Sequence, residues 1–284
     1  MIPVVAGSNP VGHPNLAPRA PHRWRAPALR GTTPQAAFKA VALAALEQIE
    51  SNTRGVLISD DPEYLHQLRV GMRRLRAALR AFRAILARKD ARRVIRALRK
   101  VAPRLGAARD WDVLVTRLEA HPGSIDLRRK ARSKRAVARR AARRVLVSKR
   151  FAGIGARVRA LEPAASSATL AQFGGAALTR AHRKLMSEVR GADWADPAAR
   201  HACRIRVKRL RYSCEFFAPA FPARRVSPYI AELKALQDIL GALNDISVGR
   251  RLIGFDADDA ALLRRLAAAW GRFAKRPVFW RAPA

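Results

Sequence analysis

The sequence predicts an all-α fold: two pseudo-symmetric helical bundles of about four helices each, produced by an internal duplication. Three observations carry that prediction. No stretch alternates apolar and polar residues with the period of two that a half-buried strand requires. Apolar residues recur instead at helical spacing, as in Phe38, Val41, Ala42, Ala45, Leu46 and Ile49. The segment His66–Phe82 also returns 135 residues later as His201–Phe217, with the His, three Arg, one Leu and the Phe unchanged.

Residues 1–33 are rich in Pro, Gly and Asn and show no apolar period, so they read as a disordered basic tail. Thr33-Pro34 opens the first helix. Asp61-Pro62-Glu63 opens the second, with a proline and an acid in the first turn. That helix carries the first copy of the motif and is expected to run to about Lys89. A further helix over about 90–102 should end at Pro103, because proline lacks the N–H a helix interior needs. A short apolar helix spans about 111–118, and His121-Pro122-Gly123 breaks the chain. A strongly basic helix follows over about 126–149, then another over about 150–162. Pro163–Ser167 reads as the linker, so the first half is placed at 34–163 and the second at 168–281. The same order then returns. Phe173, Ala177 and Leu178 match Phe38, Ala42 and Leu43; Asp196-Pro197 precedes the second motif helix; Leu240, Gly241, Ala242, Asp245 and Val248 match Leu105, Gly106, Ala107, Asp110 and Val113.

Charge narrows the function. Lys and Arg total 57 against 21 Asp and Glu, a net charge of +36. Such a chain repels itself unless it meets a polyanion. Nucleic acid, an anionic membrane surface and inorganic polyphosphate are the candidates. No apolar run reaches transmembrane length, and no basic-then-apolar leader is present, so a cytoplasmic protein without membrane association is expected. Cys203 and Cys214 fall on one helix roughly 16 Å apart, too far to bridge, and read as small buried residues. No Cys/His spacing suggests a metal, and no cofactor is expected.

On a helical projection at 100° per residue, His66, Arg69, Arg73, Arg76 and Arg80 fall within an arc of about 80°. Leu65, Leu68, Met72, Leu75, Leu79 and Phe82 form the neighbouring core face. In the second copy His201, Arg204, Lys208 and Arg211 share the basic arc; Cys203, Val207, Leu210, Cys214 and Phe217 form the core face. The other flank of each basic stripe is again apolar: Val70, Ala77 and Ala81 in one copy, Ile205, Tyr212 and Phe216 in the other. A solvated face would grade into more charge, as Arg74 and Arg209 do further round. A cationic stripe between two apolar edges predicts a groove wall. Unpaired guanidinium groups there need an anion. Asp110, Asp245, Glu215 and Glu232 are possible internal partners but too few to neutralise the stripe; Asp110 and Asp245 are expected to orient arginines rather than to react.

The motifs His66-x-x-Arg69-Val70-x-x-Arg73-Arg74-Leu75-Arg76, Leu105-Gly106-x-x-Arg109-Asp110-x-Asp112-Val113, His201-x-x-Arg204-Ile205-x-Val207-Lys208-Arg209-Leu210-Arg211-Tyr212 and Lys234-x-Leu236-Gln237-Asp238-x-Leu240-Gly241-x-Leu243-Asn244-Asp245 together resemble the CHAD domain. The end, Ala274–Trp280, is similar to the family's C-terminus. The resemblance covers about 35–280. It implies two helical bundles around a basic groove, binding of inorganic polyphosphate, and residence on polyphosphate granules. It places His66, Arg69, Arg73, Arg76, His201, Arg204, Lys208, Arg211 and Tyr212 at the anion site, with Lys234 and the aligned Arg99 as second-tier contacts. Arg80 stands where the second copy has Glu215. Some members are fused to a triphosphate-hydrolysing tunnel domain marked by Glu-x-Glu-x-Lys on a strand; no such triad occurs here, so hydrolysis is not expected.

The sequence therefore points to a non-enzymatic polyphosphate-binding protein. The alternative is a nucleic-acid-binding protein, or non-specific nucleic-acid affinity beside the main function. Against it, aromatic residues for base stacking are sparse at 6%. Enzymatic phosphate transfer is disfavoured by the lack of a metal-binding carboxylate cluster and of a phosphate-cradling glycine loop.

Overall fold

The structure, a computed structural model, describes residues 20–120, 125–254 and 258–281. Among them are nine α-helices: α1 Pro34–Ile58, α2 Pro62–Ala81, α3 Arg88–Ala120, α4 Ile125–Leu146, α5 Lys149–Arg159, α6 Leu170–Val189, α7 Pro197–Phe217, α8 Ala223–Ile253 and α9 Ala260–Lys275. No strand occurs among the described residues. The all-α prediction holds, with five helices before the 160s and four after.

The two motif helices start alike. Asp61 and Asp196 are the N-caps of α2 and α7; each carboxylate accepts from backbone N–H groups of the first turn, and a proline follows. Their predicted core faces are buried throughout: Leu65, Leu68, Met72, Leu75, Leu79 and Phe82 on α2, and Cys203, Val207, Leu210, Cys214 and Phe217 on α7. Both cysteines are free and buried, as expected. α2 packs on α1 and α3, α7 on α6 and α8, and the halves meet where α2 crosses α7 and α6. At that junction Phe82 touches Phe38, Phe173 and Phe217, with ring centroids 5.7, 5.6 and 5.0 Å away. One hydrophobic core runs through both halves. The orientation of the two motif helices is therefore fixed by buried aromatic area rather than by a flexible tether.

Four expectations are corrected or refined. α2 ends at Ala81 instead of continuing to Lys89, because Ile85 and Leu86 turn inward to be buried. Pro103 does not end a helix. It lies exposed inside α3, and the segments expected at 90–102 and 111–118 are one continuous helix. Leu98, Val101, Leu105 and Ala108 form an unbroken buried face across the proline, which offsets the lost hydrogen bond. The linker at Pro163 is tied down: Ala164 N–H donates to Ile85 O (2.7 Å). The tail, over its described part, is bound to the body. Leu29 is buried, the His22 N–H donates to Asn52 Oδ1 (3.1 Å), and Trp24 packs on Phe216. Residues 1–19 and the break at His121-Pro122-Gly123 lie outside the described residues.

Candidate functional site: a basic groove between α2 and α7

The crossing of α2 and α7, flanked by α3 and α8, leaves an open cavity of about 840 Å³. Eight of the residues singled out by the sequence line it: His66, Arg69 and Arg73 from α2, and His201, Arg204, Lys208, Arg211 and Tyr212 from α7. They come from helices that are far apart in sequence, and the projection placed them on facing walls.

The floor is cationic and largely unneutralised. Among the described residues, Arg69, Arg73, Arg204 and Lys208 make no ion pair. The Nε atoms of Arg73 and Arg204 are buried without any hydrogen-bond partner. Arg69 Nη1 reaches only the Ala102 carbonyl, at 3.4 Å. Arg69 lies close against α3 at Gly106, where a Cβ would stand 3.2 Å from Nη1. Arg211 is the exception: it pairs with Glu215 and its Nε donates to Gln237 Oε1 (2.9 Å). Its guanidinium also lies over the Tyr212 ring, 4.7 Å from the centroid.

Crowding of like charge in a desolvated place shifts protonation. Burial, and then Arg73, Arg204, Arg211 and Arg69, pushes the Lys208 amine down to about 6. Burial and Arg109 push His66 down to about 4, against the opposing pull of Glu63. Burial and Arg73 lower Arg69 to about 10. Arg204 is lowered too, by burial and then Arg73, although Asp245 and Asp110 oppose the shift. His66 is therefore neutral at physiological pH. The groove residue poised closest to neutrality is Lys208.

The four carboxylates named as internal partners leave most of the stripe unpaired, and only Glu215 reaches one of its members, Arg211. Asp110 pairs with Arg251 (3.4 Å) and Asp245 with Arg117 (2.9 Å), each joining α3 to α8 at the groove. Glu232 pairs with Arg276. Glu215 serves Arg74 as well as Arg211. Arg74 is thereby not the ordinary solvated residue the projection suggested. It is buried, between the rings of Trp24 and Tyr212 at 4.5 and 4.7 Å.

The remaining predicted contacts lie outside the cavity. Arg76 follows Arg73 along α2, beside the exposed Arg99, and is lowered by burial and by those two cations. Lys234 is exposed on α8. Arg80 lines a separate cavity with Arg209 and Arg206. Arg109, Arg117 and Arg251 also line the groove but are absent from the sequence prediction. Their positions in the other copy are Asn244, Leu252 and Thr116, so a criterion of recurrence passes over them. No group of three or more metal-ligating side chains exists among the described residues, and no described helix is long and apolar enough to cross a membrane.

A helical pair of this build, with its motif arginines facing across one groove, defines a class. A profile of the CHAD domain matches residues 40–254, and the chain belongs to that family. Among solved structures it is similar to the crystal structure of the CHAD domain from the plant Ricinus communis, with 30% identity and a TM-score of 0.71. That match covers 92% of this chain and 94% of the plant domain. It also shares the fold of PptA from Streptomyces chartreusis at 18% identity and a TM-score of 0.56, covering 85% of this chain and 98% of that one. No curated protein matches.

Proposed function

We propose that this protein binds inorganic polyphosphate in the α2/α7 groove without turning it over, and that this binding places it on polyphosphate granules. The CHAD family is associated with polyphosphate binding. The observation that carries the reading is the set Arg69, Arg73, Arg204 and Lys208, packed into one groove with no carboxylate of their own. A protein does not ordinarily bury four such groups together, because each loses hydration and repels the others. A linear polyanion restores both terms at once. Each motif from His to the last Arg spans roughly 15 Å of helix, long enough to meet several phosphates of an extended chain. Arg contacts phosphate bidentately, while Lys208 acts as a point charge.

The test is a titration with long-chain polyphosphate, with RNA and DNA as competitors at moderate salt. Polyphosphate is expected to bind tightly and resist displacement. The Arg69→Ala/Arg204→Ala variant is expected to lose at least about a hundredfold in affinity, from two charge-assisted interactions. An unchanged affinity in that variant, or ready displacement by RNA, overturns the reading. Release of orthophosphate from polyphosphate by the pure protein overturns its non-enzymatic part. A fluorescent fusion imaged in cells with and without polyphosphate tests the granule claim, which fails if localisation is indifferent to the polymer.

A further inference from the structure

The Arg74 site and its counterpart in the other copy have opposite fates. Position 74 corresponds to 209, 212 to 77, 215 to 80 and 216 to 81, each across the 135-residue offset. In the first of these sites Arg74 is sandwiched between Trp24 and Tyr212, neutralised by Glu215, with Phe216 behind Trp24. In the second, all four counterparts line one cavity of about 230 Å³, bounded by α2, α6 and α7. There the tyrosine and phenylalanine become Ala77 and Ala81, and the glutamate becomes Arg80. Ala177 and Ala181 of α6 add two more methyl groups to the wall. Among the described residues no aromatic ring covers Arg209.

The charge there is uncompensated. Arg80, Arg180, Lys184 and Arg209 make no ion pair among the described residues, and Glu188 is committed to Arg206 (2.8 Å). Arg80 Nη1 spends one donor on the Arg76 carbonyl (3.1 Å). The paired site thus shows what this geometry accepts: a flat ring against the guanidinium, and a carboxylate beside it. The second site has the room and the cations but neither the ring nor the acid.

We propose that this cavity, bounded by α2, α6 and α7, binds an external anion that carries both, a nucleoside phosphate. Its base lies on Arg209 over the alanine wall, as Trp24 lies on Arg74. Its phosphates take the place of Glu215 and meet Arg80, Arg180 and Lys184. This site is separate from the α2/α7 groove and does not depend on polyphosphate binding there.

The experiment is a calorimetric titration of the Arg69→Ala/Arg204→Ala protein, whose main groove is disabled, with ATP, inorganic tripolyphosphate and adenosine. ATP is expected to bind about tenfold more tightly than tripolyphosphate, the gain from stacking on the guanidinium. Adenosine alone is expected to bind more weakly than either. Adding Ala181→Trp, which fills the cavity, should weaken ATP at least about tenfold. Arg180→Glu, a polar change on the rim that spares the core, should do the same. In the otherwise wild-type protein neither change should move polyphosphate affinity more than about twofold. ATP affinity unaffected by both Ala181→Trp and Arg180→Glu overturns the proposal, as does tripolyphosphate binding as tightly as ATP. Unaltered polyphosphate binding by Arg69→Ala/Arg204→Ala would refute the groove reading and leave this site standing.

Discussion

Two sets of half-buried and buried cations in this protein are treated oppositely. On one side, Arg135 and Arg139 of α4 converge on Asp112, whose carboxylate is fully buried. Their contacts run from 2.7 to 3.1 Å, and Arg139 also reaches Asp60. Arg74 likewise has Glu215 and two rings. These arginines bring their counter-charge with them and tie helices together. On the other side, Arg69, Arg73, Arg204 and Lys208 face one another across the groove and bring none. Similar chemistry at similar depth has two uses. A satisfied arginine is architecture, while an unsatisfied cluster costs the fold stability, as the proposed anion site would.

The contrast is sharpest when one member of each set is removed. Asp112→Ala removes the buried acid shared by two guanidinium groups, leaving Arg139 only its contact to Asp60, and should cost about 3–5 kcal/mol of stability. Chemical denaturation checks this, and polyphosphate affinity of the folded fraction should be unchanged. If Asp112→Ala is neutral, the α4 arginines are not structural in the sense argued. Arg69→Ala/Arg204→Ala should do the reverse: at least about a hundredfold loss of affinity with a melting temperature equal to or above that of the parent, since like-charge repulsion is relieved. A large drop in melting temperature would move these residues into the architectural set.

Protons give the next largest effect. Lys208 is held near 6 and His66 near 4, both below their ordinary values. A bound polyanion favours the charged forms, so it raises both and binding takes up protons. Affinity should be highest below about pH 6, where Lys208 is already charged. It should fall as pH rises from 6 towards 9, by up to about tenfold per unit for one proton. Lys208→Arg should flatten the profile in that window, because an arginine keeps its proton there. A second increase below pH 6 should belong to His66 and vanish in His66→Gln. Titrations in two buffers of different ionisation heat measure the proton uptake directly; no uptake at pH 7.5 would contradict the assignment. The smallest effect is in salt dependence. The slope of log affinity against log salt should be shallower by about two in Arg69→Ala/Arg204→Ala than in the parent, about one per cation removed.

Much of the groove was legible because it is written in local periodicity and repeated. The core and basic arcs of α2 and α7 follow from spacing alone, and the offset of 135 marked His66, Arg69, Arg73, His201, Arg204, Lys208 and Arg211. What was not legible depends on partners distant in sequence. Arg74 looked solvated on its own helix; the acid and rings that bury it come from Glu215, Tyr212 and Trp24. Arg109, Arg117 and Arg251 occur in one copy only, so repetition could not reveal them. The run of α3 through Pro103 was hidden for the same kind of reason. Backbone chemistry at the proline argues for a stop, and only the packed face from Leu98 to Ala108 shows what outweighs it. The same limit applies to Arg80, which shares the stripe by angle but lies in another cavity.

The most direct measurement is a crystal structure of the protein with a phosphate chain of defined length. The account predicts a chain lying between α2 and α7, with phosphate oxygens within hydrogen-bond distance of the buried Nε atoms of Arg73 and Arg204. A chain bound along the exposed cations of α4, such as Arg129, Lys130 and Arg132, with the α2/α7 groove empty, would contradict it.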